Sequence, residues 1–271
     1  MKDPVTHPMP LIIGDSHAGY MALAFGAYAG GFEEVNQGLL IPVVAGGRMR
    51  AECVVINPNK TAFFTQQLAP DGQELLIGID PLFHGALASS AGRHQRVLVS
   101  LEGNTHNAMF MVASDPPFDF HDPRWPAVYQ PDHQVVPREA VLQHFEVSAR
   151  LLEVKLGLLR QHIGDAMPFF WVTPPPPIPS HQHIMAFPEG FRMSESGITH
   201  PWVRLKVYRA YVDRLAVAAE RAGATVLRAP AACTDGDGFL LPAYWNHCTH
   251  ATPGYYEALC AQHFPGEWPN A

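Results

Sequence analysis

Charged side chains are scarce in this chain of 271 residues: Asp, Glu, Lys and Arg make up only 16%, against roughly a quarter in an ordinary soluble domain. The 18 basic residues are outnumbered by 25 acidic ones, for a net charge of −7, which excludes a broad basic surface for nucleic acid. Cysteine is scarce too. Cys53, Cys233, Cys248 and Cys260 form no CxxC pair and are too few for a disulfide framework, so they read as reduced thiols. No apolar run approaches the ~18 residues of a membrane span. The first apolar stretch leads into Asp15 and His17 instead of a small-residue cleavage site, and a cytoplasmic protein is expected. Neither a G-x-x-x-x-G-K-[ST] loop nor a G-x-G-x-x-G turn is present, which argues against nucleotide binding.

Histidine and proline fill the gap, at 15 and 26 residues. The histidines include His-x-x-His spacing (His247, His250), but there is no HExxH helix and no zinc-finger Cys/His spacing. No metal and no cofactor is expected. The prolines gather in "ASDPPFDFHDPRWPAVYQPDHQVVP" and "VTPPPPIPS". Such segments suit loops and rigid exits from a sheet, since proline cannot continue a central strand. Trp125, Tyr129, Phe118 and Trp171 either shape a cleft or pack the loops down.

The rest of the chain alternates short apolar runs with amphipathic ones, the pattern of an α/β domain. Strands are predicted at Pro10–Gly14, Leu39–Ala45, Arg96–Leu101, Pro168–Thr173 and Thr225–Leu227. Helices are predicted from Ser16 to Ala29, Arg138 to His162, Trp202 to Ala222 and Pro253 to His263. Spacing carries the helix reading: Val141, Leu142, Phe145, Leu152, Leu156 and Leu159 recur mostly at three and four. "RVLVSL" and "PFFWVT" are apolar nearly throughout, as parallel strands covered on both faces are. The expected fold is α/β: a three-layer α/β/α sandwich with a flavodoxin-like, mainly parallel five-stranded sheet. It forms one domain with loop or cap insertions over residues 48–95, 113–137 and 174–200.

One stretch asks for chemistry. In "LIIGDSHAGYMALAFG" Ser16 follows an apolar strand and opens a helix. Serine there reads either as a helix N-cap or as a nucleophile at the carboxyl edge of the sheet, where open α/β folds bind ligands. Gly14-Asp15-Ser16-His17-Ala18 does not match the G-x-S-x-G elbow of α/β-hydrolases. It resembles the first block of the SGNH (GDSL-type) hydrolases. "VSLEGNTHN" offers Asn104 for that family's third block, with Glu102 in place of its glycine and Thr105 in place of its aspartate. "IPVVAGGRM" offers Gly46 or Gly47 for the second block, and "YWNHCTHATPGYYEAL" places His250 just before a predicted helix for the fourth.

The resemblance implies an acyl-enzyme mechanism. Ser16 attacks a carboxylic ester and His250 takes its proton. The N–H groups of Ser16 and of Gly46 or Gly47, with the amide of Asn104, meet the oxyanion. The expected substrate is an acyl group on a carbohydrate or small metabolite. One departure stands out: His247 occupies the place of the family's aspartate, three residues before His250. Asp235 or Asp237 in "CTDGDGF" could take its role, or a backbone carbonyl could leave a Ser–His dyad, or catalysis could give way to ligand binding. His17, His106 and Asn107 are expected as pocket wall or support, with Asp15 beside them. Acyl transfer to an alcohol would use the same acyl-enzyme.

Overall fold

Alternation along the strands decides which core each side chain enters. In the strand β1 (Pro10–Gly14), buried throughout, Leu11 and Ile13 face one apolar cluster and Ile12 the other. The computed structural model describes residues 9–29, 40–56, 63–68, 75–90, 92–126, 128–187 and 197–266. After β1 come α1 (Ser16–Leu23), β2 (Ala27–Tyr28), β3 (Ile41–Ala45) and β4 (Arg48–Val55). Then follow β5 (Phe64–Leu68), β6 (Leu75–Ile79), α2 (Pro81–Ser90), β7 (Arg96–Ser100) and α3 (Thr105–Phe110). The middle of the chain gives β8 (Phe118–Phe120), β9 (Gln134–Val136), α4 (Arg138–Gln143), α5 (Glu146–Ile163), β10 (Phe169–Val172) and α6 (His181–Met185). The chain ends with α7 (Pro201–Arg221), β11 (Thr225–Leu227), β12 (Trp245–Asn246), β13 (His250–Ala251) and α8 (Pro253–His263).

The main sheet runs β11-β10-β7-β1-β4-β3-β2. Its first five strands are mutually parallel. Counted among themselves they have the order 2-1-3-4-5, the flavodoxin-like winding, while β3 and β2 add an antiparallel edge. One face packs against α2, α4, α5 and α7 through Phe83, Leu87, Val141, Leu152, Leu156, Val203 and Val207. The other packs against α1 and α8 through Ala18, Met21, Tyr256, Leu259 and Cys260. This is the three-layer sandwich, with seven strands in place of five.

Four expectations are corrected here. The run at Leu39–Ala45 is the antiparallel β3, with Leu39 itself outside the described residues. The second parallel strand is β4, inside the stretch expected to be a loop or cap. Its charged residues hid it. Glu52 is only 4% exposed and meets His94 Nε2 at 2.8 Å and Arg93 at 3.2 Å, so a carboxylate sits in a central strand with its charge paired. The first helix also stops early, at Leu23. Gly26 then takes φ +154° with Val44 O only 2.3 Å from where a Cβ would lie, a close approach that only glycine permits. The helix expected from Arg138 to His162 is two helices, α4 and α5.

The proline-rich segments are packed down. Pro174–Pro177 are buried, Tyr208 donates its hydroxyl to Pro174 O at 2.9 Å, and Arg204 donates to Ile178 O at 2.7 Å. The 113–137 segment is pinned to α7 by a fully buried ion pair: Lys206 Nζ lies 2.8 Å from Asp119 Oδ1. Lys206 also donates to the carbonyls of Phe120 and Val128, so the buried cation is fully solvated by protein. Among the described residues no helix is long and apolar enough to cross a membrane.

Candidate active site

The strand order reverses between β1 and β7, and the crevice outside their carboxyl ends is where open α/β sheets bind ligands. Ser16 follows β1, and Asn104 follows β7. Gly14 allows the two strands to lie this close: an added Cβ there would meet Ser100 O at 1.9 Å. Asp15, not Ser16, is the N-cap of α1, accepting the His17 N–H at 3.1 Å. The serine is thereby left exposed at the first turn, with its hydroxyl free of capping duty.

His250 comes from the other end of the chain. The short β12–β13 pair presents it, and its Nε2 lies 2.8 Å from Ser16 Oγ. The imidazole is held between two rings of α1. His17 lies 4.7 Å away and Tyr20 4.9 Å away, centroid to centroid. Residues three apart on a helix share a face, which is the sequence signal that points to Tyr20. Nδ1 of His250 meets Thr249 Oγ1 at 3.4 Å. With Nε2 accepting from Ser16, Nδ1 carries the proton and donates to Thr249.

Among the described residues no carboxylate takes the place of Thr249. Asp235 spends Oδ1 on the N–H groups of Asp237, Gly238 and Phe239. It and Asp237 are exposed in their own turn, so neither is brought to His250. His247 stands with its ring 6.1 Å from His250, at φ +50°. Burial first, and then the positive charges that His17 and His247 would carry, push the His250 pKa down to about 3. The ring is a neutral acceptor across the ordinary pH range.

Asn104 is oriented by two neighbours. Its Oδ1 faces His17 Nε2 at 3.3 Å and accepts from Asn107 Nδ2 at 3.2 Å. Because a carbonyl only accepts, His17 must carry its proton on Nε2. Its Nδ1 then faces the Tyr256 hydroxyl at 3.4 Å, and burial lowers its pKa to about 4. With Oδ1 engaged, the Asn104 amide N–H₂ makes no hydrogen bond to the described residues. Asp15 ties the two sides together: Oδ2 accepts from Gly103 N at 3.1 Å while Oδ1 caps α1. Burial raises the Asp15 pKa to about 6 against these two bonds.

The loop carrying Asn104 is strained and heavily fastened. Glu102 sits at φ +61°, a left-handed conformation that favours glycine. Its carboxylate pairs with Lys155 Nζ at 2.5 Å and accepts from Thr105 at 3.2 Å. Tyr211 donates to its carbonyl, and Trp171 Nε1 donates to Leu101 O at 3.2 Å. Sequence reasoning missed Lys155 and Tyr211 and read Trp171 only as a cleft or packing aromatic; the three lie 50 to 110 residues away in sequence and act through contacts that periodicity does not report.

Two expected site assignments are corrected. Gly46 and Gly47, at φ +57° and +71°, form the turn of the β3–β4 hairpin. That turn is at the start of β4, while Ser16 lies at its end, where Gly14 pairs with Val55. β4 is 8 residues long, so at ~3.3 Å per residue the glycines lie roughly 25 Å from the serine. Neither can serve as an oxyanion donor. His106, 3% exposed, stacks on Tyr211 at 5.0 Å, so of its two expected roles, pocket wall or support, the pocket wall is excluded.

No protein-family model matches the chain, and no curated protein matches it. Among solved structures, the periplasmic domain of a lipopolysaccharide acetyltransferase of Salmonella ser. Paratyphi A is similar, with 10% identity and TM-score 0.46. The match covers 95% of this chain and 82% of that one. A DUF4886 family protein from Bacteroides uniformis is similar with 15% identity and TM-score 0.42, over 94% of this chain and 81% of the other. What the site can do therefore follows from its own atoms.

Proposed function

We propose that this chain is one SGNH-like domain that breaks carboxylic esters through an acyl-enzyme, with Ser16 as nucleophile and His250 as base. The observation that carries this reading is the 2.8 Å approach of His250 Nε2 to an exposed Ser16 Oγ. It stands at the sheet's switch point, next to an amide whose oxygen is already engaged.

In the first half-reaction Ser16 Oγ bonds to the ester carbonyl carbon as its proton passes to His250 Nε2. The negative oxygen is met by the Ser16 N–H, at the positive end of α1, and by Asn104 Nδ2. The carbon–oxygen bond of the ester then breaks, and the leaving alcohol takes the proton from His250. In the second half-reaction water, activated by the same imidazole, releases the acid. An alcohol in place of water would give acyl transfer. The substrate class is a small acyl group on a carbohydrate or small metabolite, consistent with the exposure of Ser16.

The Thr249 hydroxyl on Nδ1 favours one other reading, a ligand-binding protein that turns nothing over. A hydroxyl cannot stabilise an imidazolium as a carboxylate does. The two are separated by turnover of p-nitrophenyl acetate by wild type and Ser16→Ala, with glycerol added to divert the acyl group. The enzyme reading expects burst release of p-nitrophenol that Ser16→Ala lacks, with acetate or acetylglycerol as product. Equal release by the two proteins would overturn it.

A further inference from the structure

Away from Ser16, a cavity of about 240 Å³ opens at the start of α7, where Thr199 and His200 lead into the 21-residue helix. We propose that it is a second ligand site, taking a small organic carboxylate with an apolar body.

The described lining combines apolar Pro117, Phe118 and Ile198 with polar His133, His181, Thr199 and His200, with no acidic side chain among the described lining residues. Thr199 is 5% exposed, yet its hydroxyl has no hydrogen-bond partner. A buried hydroxyl left unpaired costs on the order of 1–3 kcal/mol, and this one lines an open cavity. His133 Nδ1 is likewise buried without a partner. Two unpartnered polar atoms thus belong to residues that line the cavity.

The field around them is positive. Arg204, 4% exposed, gives its guanidinium to the carbonyls of Thr199 and Ile178, at 3.0 and 2.7 Å, and forms no ion pair among the described residues. The N-terminal end of α7 adds its dipole. The nearby carboxylate of Asp119 is already neutralised by Lys206. His200 registers the same surroundings: burial, then His133, His181 and Arg204, lower its pKa, with Asp119 opposing. Among the described residues no group of three His, Cys, Asp or Glu is arranged to hold a metal ion. An anion with a hydrocarbon body satisfies both kinds of lining.

The cavity lining includes none of Ser16, Asn104 and His250: from α6, His181 lines the cavity, while His183 Nε2 lies 2.8 Å from His247 O. Binding here does not depend on Ser16.

Isothermal titration calorimetry of the full chain with benzoate tests the assignment. Saturable one-site binding is expected in wild type and, unchanged, in Ser16→Ala. Thr199→Val and His181→Ala are each expected to weaken it tenfold or more. Thr199→Val also removes the unpaired hydroxyl, so its Tm should hold or rise, which separates lost binding from lost folding. The proposal falls if folded wild type shows no saturable uptake, or if Thr199→Val binds as tightly as wild type. Loss of binding in Ser16→Ala would place benzoate at the ester site and also overturn it. Inorganic phosphate binding as tightly as benzoate would remove the role of the apolar lining.

Discussion

His250 and Ser16, 234 residues apart in sequence, meet at 2.8 Å with the imidazole clasped between His17 and Tyr20. What is unusual is the other nitrogen, which meets a threonine hydroxyl. The consequences are measurable.

The first concerns pH. A base works when unprotonated, and burial holds the His250 pKa near 3. The acid limb of kcat/KM is therefore expected at about pH 3, far below the ~6.5 of an ordinary histidine. His247→Asp places a carboxylate on the neighbouring ring position, at a left-handed backbone site that aspartate tolerates. It should move that limb upward and raise kcat at neutral pH. Initial rates from pH 3 to 8, with circular dichroism to confirm folding, decide. An acid limb already near 6.5 in wild type would refute the account of His250.

In the proposed mechanism Asn104→Ala removes an oxyanion donor, so it should lower kcat by about 10²–10³, with little change in KM. Asn107→Ala should lose less, because His17 still holds the Asn104 oxygen. Steady-state kinetics separates the two. Equal and small losses would mean that the amide does not meet the oxyanion.

Acid should destabilise the fold through its buried histidines. His106 has a pKa of about 3 in the folded chain, set by burial and then by His17, against about 6.5 unfolded. A lowered histidine pKa means the unfolded chain binds more protons between these values, so stability is lost as pH falls from about 6.5 toward 3. Both ring nitrogens of His106 lack partners. His106→Phe keeps the stack on Tyr211 and should flatten the acid slope, while raising stability at pH 7 by about 1 kcal/mol or more. Thermal melts at pH 7 and 4.5 give the comparison, and a lower Tm at both would count against it.

Breaking the pair that pins the 113–137 segment should be costly. Lys206→Met leaves Asp119 buried and unpaired, a loss of about 3–5 kcal/mol. The double variant Lys206→Met, Asp119→Asn should recover part of it. Urea unfolding of the three proteins measures the coupling, and additive losses would contradict it.

The sequence declared its fold where apolar patterning is uncontested. β1, β7 and β10 are nearly continuous apolar runs, and Thr252-Pro253 marks the start of α8 to the residue. β4 was illegible because "RMRAECVV" places Glu52 in the core, and its partners Arg93 and His94 lie some 40 residues on. That one concealed strand displaced the two glycines from the hairpin turn to the rim beside Ser16. At the candidate site, the places of Ser16, Asn104 and His250 in the fold were readable because each sits at a strand end or just before a helix. Thr249, Tyr20 and the fastenings of Glu102 were not, since they depend on packing between distant segments.

The most direct measurement is labelling by a fluorophosphonate, with peptide mapping, of wild type and His250→Ala. Labelling confined to Ser16 in wild type and absent from the folded variant is the predicted result. A folded wild type that takes no label, or a label that survives His250→Ala unchanged, would contradict the activation of Ser16 by His250.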